Sequence, residues 1–344
     1  MRGGWYHITT RGMGRRVIFY DARDREHFLD LLDGVVNRYG VVLHAYVLMD
    51  NHYHLLIETP AANASRALQW LNVSYAVWHN LRHAESGPLF QARFKSIPVQ
   101  GQGAWALACS IYIHLNPVRI QALGLGKDGR ALEQAGRLPP EPAQSQIRDR
   151  LAVLRGHRWS SYPAYAGYAE APDWLTRAAI WARVAVAGKM ATDEYREQIE
   201  DYLKQGVEDG APERLTQSLA IGSTAFIEKL RRRLSGKMGA DTNARAWRRL
   251  LPFREIVRAV AAIRKEPWES FVDRRGDWGR DLVLQIGRKH GGMTLRELGE
   301  ECGMNALAVS KAVTRLDTRL KTDKALQRAA QRALLMLNGR EGKA

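Results

Sequence analysis

Cysteine is nearly absent, with only Cys109 and Cys302 in a chain of 344 residues. Their separation excludes a disulfide framework and a CxxC metal site; both are expected to be small buried residues. The sequence also has no apolar run long enough to span a bilayer. There is no apolar leader in MRGGWYHITT, no internal repeat and no GxxxxGK phosphate loop. Together these absences predict a reducing cytoplasmic setting with no membrane partner.

Positive charge is what the sequence has in excess. The formal net charge is +16, while hydrophobic residues make up 45%. That composition builds sizeable cores and needs a polyanion as partner, with nucleic acid the first candidate. The length predicts two or three units.

The first 120 residues carry a clear rhythm. WYHITTRG alternates as a strand does, DREHFLDLLDGVVNRYG has helical spacing and stops at Gly40, and VVLHAYVLM and HYHLLIET flank an Asp50-Asn51 turn. Ala61 to His83 reads as a helix, GPLFQARFKSIPV as a fourth strand, and Gly101 to Asn116 as a third helix. The order predicts an α+β fold: a ferredoxin-like (split βαβ) antiparallel sheet with helices on one face and the other free for a ligand. Residues 121–157 are rich in Gly, Pro, Gln and charge and read as an insertion or loop. Beyond them the chain is mainly α-helical, including the basic run KLRRRLSGK. TLRELGEECGMNALAVSKAVTRLDTRL has a helix-turn-helix layout, with Gly303 at the turn.

His52 and His54 alternate with Tyr53 on a strand, so both imidazoles share a face and form half of a divalent metal site. By itself this pair is a weak signal, and solvated histidines are the better reading of it. Tyr112 and Asn116 stand four apart on a helix and share a face. Against the histidine pair they would bring a hydroxyl and an amide oxygen to the metal. Two imidazoles and one amide suit Mg²⁺ or Mn²⁺ acting on a phosphodiester, with Tyr112 as nucleophile. Taken singly, Tyr112 as a packing residue and Asn116 as a helix end before Pro117 are the preferred readings. Arg11, Arg15, Arg16, Arg93, Lys95 and Arg119 surround these positions. With Phe90 and Phe94 they suit a single strand, whose phosphates need cations and whose bases need stacking partners.

The segments YHITTRGMGRRVIF, YVLMDNHYHLLIET, LFQARFKSIPV, YIHLNPVRI and HRWSSYPAY, in this order, resemble the REP-associated tyrosine transposases within the HUH single-strand nucleases. The resemblance covers residues 1–120 and resumes near 157–170, which also places Arg158 among the candidate DNA contacts. It implies His52, His54 and Asn116 as metal ligands, Tyr112 as the nucleophile, and single-stranded DNA with REP-like hairpins as the partner. It also implies a 5′-phosphotyrosine with a free 3′-hydroxyl, and a bacterial, nucleoid-associated setting. The C-terminal end is similar to the DNA-binding domain of the replication initiator DnaA, with NALAV in place of that domain's usual base-reading sequence. Arg296, Asn305, Ser310, Lys311 and Arg315 are the candidates there for duplex DNA. The expected division is a catalytic domain over 1–170, a helical linker over 171–250 and a helix-turn-helix domain over 251–338.

The alternative to a strand transferase is a non-catalytic DNA-binding or regulatory protein derived from one. The full set of His52, His54, Tyr112 and Asn116 argues against it, since a binder needs none of them. A plasmid nickase or replication initiator would be expected to carry helicase or primase-like additions. A metal-dependent RNase is separated by whether cleavage depends on Tyr112.

Overall fold

A computed structural model describes residues 1–125, 142–186, 188–205, 220–235, 251–291, 293 and 295–337. Much of the 121–157 insertion therefore lies outside the described residues, as do the side chains of Arg231 to Arg233 and of Arg296. The chain divides between Gly222 and Ser223 into two compact units.

In the first unit, β1 (Gly4–Arg11), β2 (Val42–Met49), β3 (His52–Thr59) and β4 (Lys95–Val99) form a sheet of order β2-β3-β1-β4. Every neighbouring pair is antiparallel. This is the split βαβ arrangement: α1 (Ala22–Tyr39) connects β1 to β2, and α2 (Ala64–His83) connects β3 to β4. The Asp21 side chain caps α1 by accepting from Asp24 N at 3.0 Å. Gly40, at φ 59°, ends the helix in the left-handed region. Phe28, Leu32 and Val35 are buried at helical spacing on α1. Phe28 meets Tyr53 of β3 and Tyr75 of α2, with ring centroids 4.8 and 5.1 Å apart. That packing defines one side of the sheet.

The other side is not free. α3 (Trp105–His114) packs on β2, β3 and β4 and is buried around most of its circumference. Outside it lie α4 (Gln144–Gly156), α5 (Tyr162–Tyr165), α6 (Ala178–Trp181) and α7 (Ala191–Gln205). The expectation of an open face fails because α3 is apolar on nearly all sides and needs cover on both. The segment Trp159–Ser161 adds to the outer edge of β2: Leu48 N donates to Trp159 O at 2.8 Å, and Ser161 N to Tyr46 O at 3.0 Å. Ile221 does the same at β4, bonding to Pro98 and Gln100. Both sheet edges are thereby partly covered by the chain's own backbone.

The fourth strand is shorter than its alternation predicts. Phe90 makes one bridge, to Gly12, and the chain then bends until Lys95. Phe90 turns toward Tyr53 and Tyr75, so it belongs to the α1–α2 core and not to a ligand-facing strand.

The second unit contains α8 (Thr224–Ser235), α9 (Phe253–Arg264), α10 (Trp278–Lys289), α11 (Leu295–Cys302), α12 (Ala306–Arg319) and α13 (Lys324–Leu337). α10 runs through its centre, buried from Gly279 to Gly287. α11 and α12 pack on each other through a tight turn. Gly303 there has φ 64°, and a Cβ on Gly299 would stand 2.2 Å from Met304 O. The turn therefore requires glycine at 299 for space and favours it at 303 for conformation.

Candidate active site

The β1–β3 register decides which side chains meet. Thr9 lies opposite His54 and Arg11 opposite His52. His7, two residues before Thr9, therefore shares the face of both histidines. Its Nε2 lies 2.8 Å from His54 Nδ1. On the turn side, His52 Nδ1 lies 2.7 Å from Asn51 Oδ1. Each imidazole is thus held at Nδ1 by a neighbour. With the shared proton on His54 Nδ1, both Nε2 atoms keep the lone pair a metal needs.

Both rings are neutral at neutral pH. Burial pushes His52 down to about 4, and Arg11 adds to the shift. Burial pushes His54 well below its ordinary value, with His7, His52, Arg11 and Arg119 adding repulsion. Neutral, oriented imidazoles fit a divalent metal site: the donor set is right and no proton has to be expelled first.

Tyr112 comes from α3. Its ring lies edge-on to His54 and His7, with centroids 5.8 and 5.7 Å away. The Arg119 guanidinium sits over the same ring, Cζ 4.8 Å from the centroid. Arg119, expected at the DNA surface, is only 9% exposed and instead faces Tyr112 and Tyr202.

Asn116 lies just beyond the helix that was expected to carry it. α3 ends at His114, and Asn116 opens a tighter 3-10 turn containing Pro117. Proline has no N–H to continue the helix ladder. Asn116 Nδ2 donates to Tyr112 O at 3.0 Å and sits 3.4 Å from Ile113 O, so this amide secures the end of α3.

The remaining cations divide. Arg11, Arg15, Arg93, Lys95 and Arg158 are exposed in the first unit. Arg93 lies in the bend before β4 and not on a strand. Arg16 is tied to Glu85 at 3.2 Å and to Pro88 O at 3.3 Å. Arg158 stacks on Trp159, its Cζ 4.1 Å from the ring. In the second unit Lys311 is exposed. Asn305 caps α12 by accepting from Ala308 N at 2.8 Å. Arg315 binds the buried carboxylate of Asp281 through Nε and Nη2, at 3.0 and 2.6 Å. Ser310, placed among the DNA contacts by its helix position, is only 5% exposed and points inward.

His7 and Asn51 are functional candidates that the sequence reading passed over. His7 was visible in WYHITT, but only the strand register sets it beside His54.

Residues 2–115 match the sequence family described as "Transposase IS200 like". Among solved structures, one entitled "Structure of the REP associates tyrosine transposase bound to a REP hairpin" is similar at 14% identity with a TM-score of 0.35. That match covers 54% of this chain and 91% of the other. No curated protein matches the chain. Among the described residues, no helix is long and apolar enough to cross a membrane.

Proposed function

We propose that this transposase-domain protein is a single-stranded DNA endonuclease and strand transferase that acts beside REP-type hairpins. The observation that carries the reading is the convergence of Tyr112 with His54 and His7 under the Arg119 cation.

A divalent ion, Mg²⁺ or Mn²⁺, would be held by His52, His54 and the Asn116 oxygen, and it supplies Lewis-acid polarisation of the scissile phosphate. The chain's own groups do the rest. Tyr112 Oη attacks phosphorus and gives up its proton. The P–O bond to the 3′ oxygen breaks, and that oxygen leaves as a hydroxyl. The 5′ end stays on Tyr112 as a phosphotyrosine, whose bond energy is kept for rejoining. Arg119 stabilises the phenolate as it forms, since a cation over the ring favours added negative charge there. His7 and Asn51 hold the two imidazoles in position.

Arg11, Arg15, Arg93, Lys95 and Arg158 are proposed to neutralise phosphates of the bound strand. Arg16 is proposed to do so on leaving Glu85. Lys311 and Arg296 are proposed to meet duplex DNA through the helix-turn-helix, with Asn305 capping the helix that presents them. A binder without catalysis would need neither the oriented histidines nor the tyrosine between them.

The test is cleavage of hairpin-bearing single-stranded DNA by wild type, His52→Ala and His54→Ala across a Mn²⁺ titration. Loss of metal-dependent product in both variants supports the reading. Unchanged metal dependence removes the histidines as ligands.

A further inference from the structure

A second cluster of metal-binding groups lies on the opposite side of the sheet. Asp24 of α1 and His79 and His83 of α2 bring one ligand atom each within 4.8 Å of one another. Contacts from Tyr53 to Phe28, Phe28 to Tyr75 and Tyr75 to His79 place the cluster on the α1–α2 side, away from His52 and His54. We propose that Asp24, His79 and His83 form a structural site for a zinc-class divalent ion. This inference does not depend on the reading of the Tyr112 site.

The two histidines stand at i and i+4, so they project from one face of α2. Their ring centroids are 4.6 Å apart. His83 Nε2 lies 3.0 and 3.1 Å from the two Asp24 oxygens. Ligand atoms around a tetrahedral zinc with bonds of roughly 2.0–2.1 Å stand about 3.3 Å apart. The pair is therefore spaced as two corners of such a site.

His79 supplies the independent observation. It is 0% exposed, and neither ring nitrogen reaches a hydrogen-bond partner. Of the groups around it, the neighbouring Asn80 side chain has the smallest influence on the ring. A fully buried imidazole with both nitrogens unpaired is costly. A metal bond at one of them removes part of that cost.

The surroundings hold the Asp24 carboxylate in place. Asp24 is 0% exposed, and its Oδ2 accepts from Tyr20 N at 2.7 Å. Arg82 also bonds to Asp24, yet its guanidinium is gripped from the other side by both oxygens of Asp21, at 2.6 and 3.0 Å. Tyr20 lies over the two imidazoles, with centroids 5.3 and 4.7 Å away, and its hydroxyl is tied to Glu85 at 2.6 Å. The ion would join the first turn of α1 to the last turn of α2, next to the loop that carries Arg15 and Arg16.

The test uses the full chain with His52→Ala and His54→Ala, which removes the other histidine pair. Cobalt(II), a spectroscopic stand-in, and Zn²⁺ are the probes. One equivalent of Co²⁺ with visible d–d absorption, displaced by Zn²⁺, is expected, and Zn²⁺ should raise Tm. Both signals should vanish in the added variant His83→Gln. His83 is partly exposed, so that change leaves the core intact. Absence of Co²⁺ binding in the parent overturns the proposal. So does binding unaltered by both His83→Gln and Asp24→Asn. If Asp24→Asn fails to fold, His83→Gln alone decides. An ordinary Asp24–His83 ion pair would show no Zn²⁺ effect on Tm, and that outcome also overturns it.

Discussion

His7 Nε2 lies 2.8 Å from His54 Nδ1, across two strands that the sequence separates by 47 positions. The bond engages Nδ1 of His54 and leaves Nε2 for the metal that the proposed function assigns to it. Groups that orient a histidine ligand typically carry a tenfold to hundredfold share of metal affinity. His7→Ala should therefore weaken Mn²⁺ binding by roughly 10- to 100-fold and leave the protein folded. His7→Gln, which keeps a polar partner, should recover part of the loss. A Mn²⁺ titration of wild type and both variants, with Tm as the folding control, checks this. Equal affinities would show that His7 merely packs.

Arg119 should contribute to rate more than to binding. A desolvated cation over an aromatic ring is worth about 0.5–2 kcal/mol, which corresponds to roughly 2- to 30-fold in rate. Arg119→Leu should slow single-turnover formation of the covalent complex by about that factor while DNA affinity stays close to wild type. A uniform fall in affinity with an unchanged rate would return Arg119 to the DNA surface.

Buried neutral histidines should make the fold acid-sensitive. Burial holds His44 at about 4 and His114 at about 3. His114 sits between Tyr195 Oη at 2.7 Å and Ser161 Oγ at 2.6 Å. Unfolded, both would titrate near 6.5. As pH falls below about 6.5, the unfolded chain takes up these protons and the native state does not, so stability drops until the folded values are reached. The slope is up to about 1.4 kcal/mol per pH unit for each histidine. Urea midpoints between about pH 7.5 and pH 5, above most of the carboxylate range, should fall steadily. A flat profile would mean that these rings take up protons in the native state.

In the second unit, Arg315 and Lys311 should separate. Asp281 is 1% exposed and keeps Arg280 at 3.3 Å, so Arg315→Ala removes one of its two cations. A hydrogen bond to a charged group is worth about 1.5–3 kcal/mol. A stability loss at the low end of that range is expected, since Arg315 is partly solvated. Lys311→Ala should leave Tm unchanged and reduce the salt slope of duplex binding by about one unit. The reverse pattern would place Arg315 on the DNA.

The strand order was legible because alternation, helical spacing and Gly40 each act locally. So was the His52–Tyr53–His54 alternation, since side-chain direction in a strand follows from sequence alone. What stayed hidden depends on register and packing. His7 needed the pairing of Thr9 with His54, and Asp24 needed the docking of α1 on α2. The cover over the face that carries His52 and His54 was hidden because α3 shows no polar side to signal where water would be. Arg119, Ser310 and Arg315 illustrate the same point: a basic or polar residue in a basic chain reads as surface until a buried partner such as Tyr112 or Asp281 is seen. For Asn116, Pro117 signalled the helix end but not the tighter turn that follows it.

The most direct measurement is a denaturing gel of the full chain incubated with end-labelled, hairpin-bearing single-stranded DNA and Mg²⁺ or Mn²⁺. The account predicts a metal-dependent, protein-linked band that disappears in Tyr112→Phe while that variant still binds the DNA. Cleavage that persists in Tyr112→Phe, or that never yields a protein-linked strand, would contradict it.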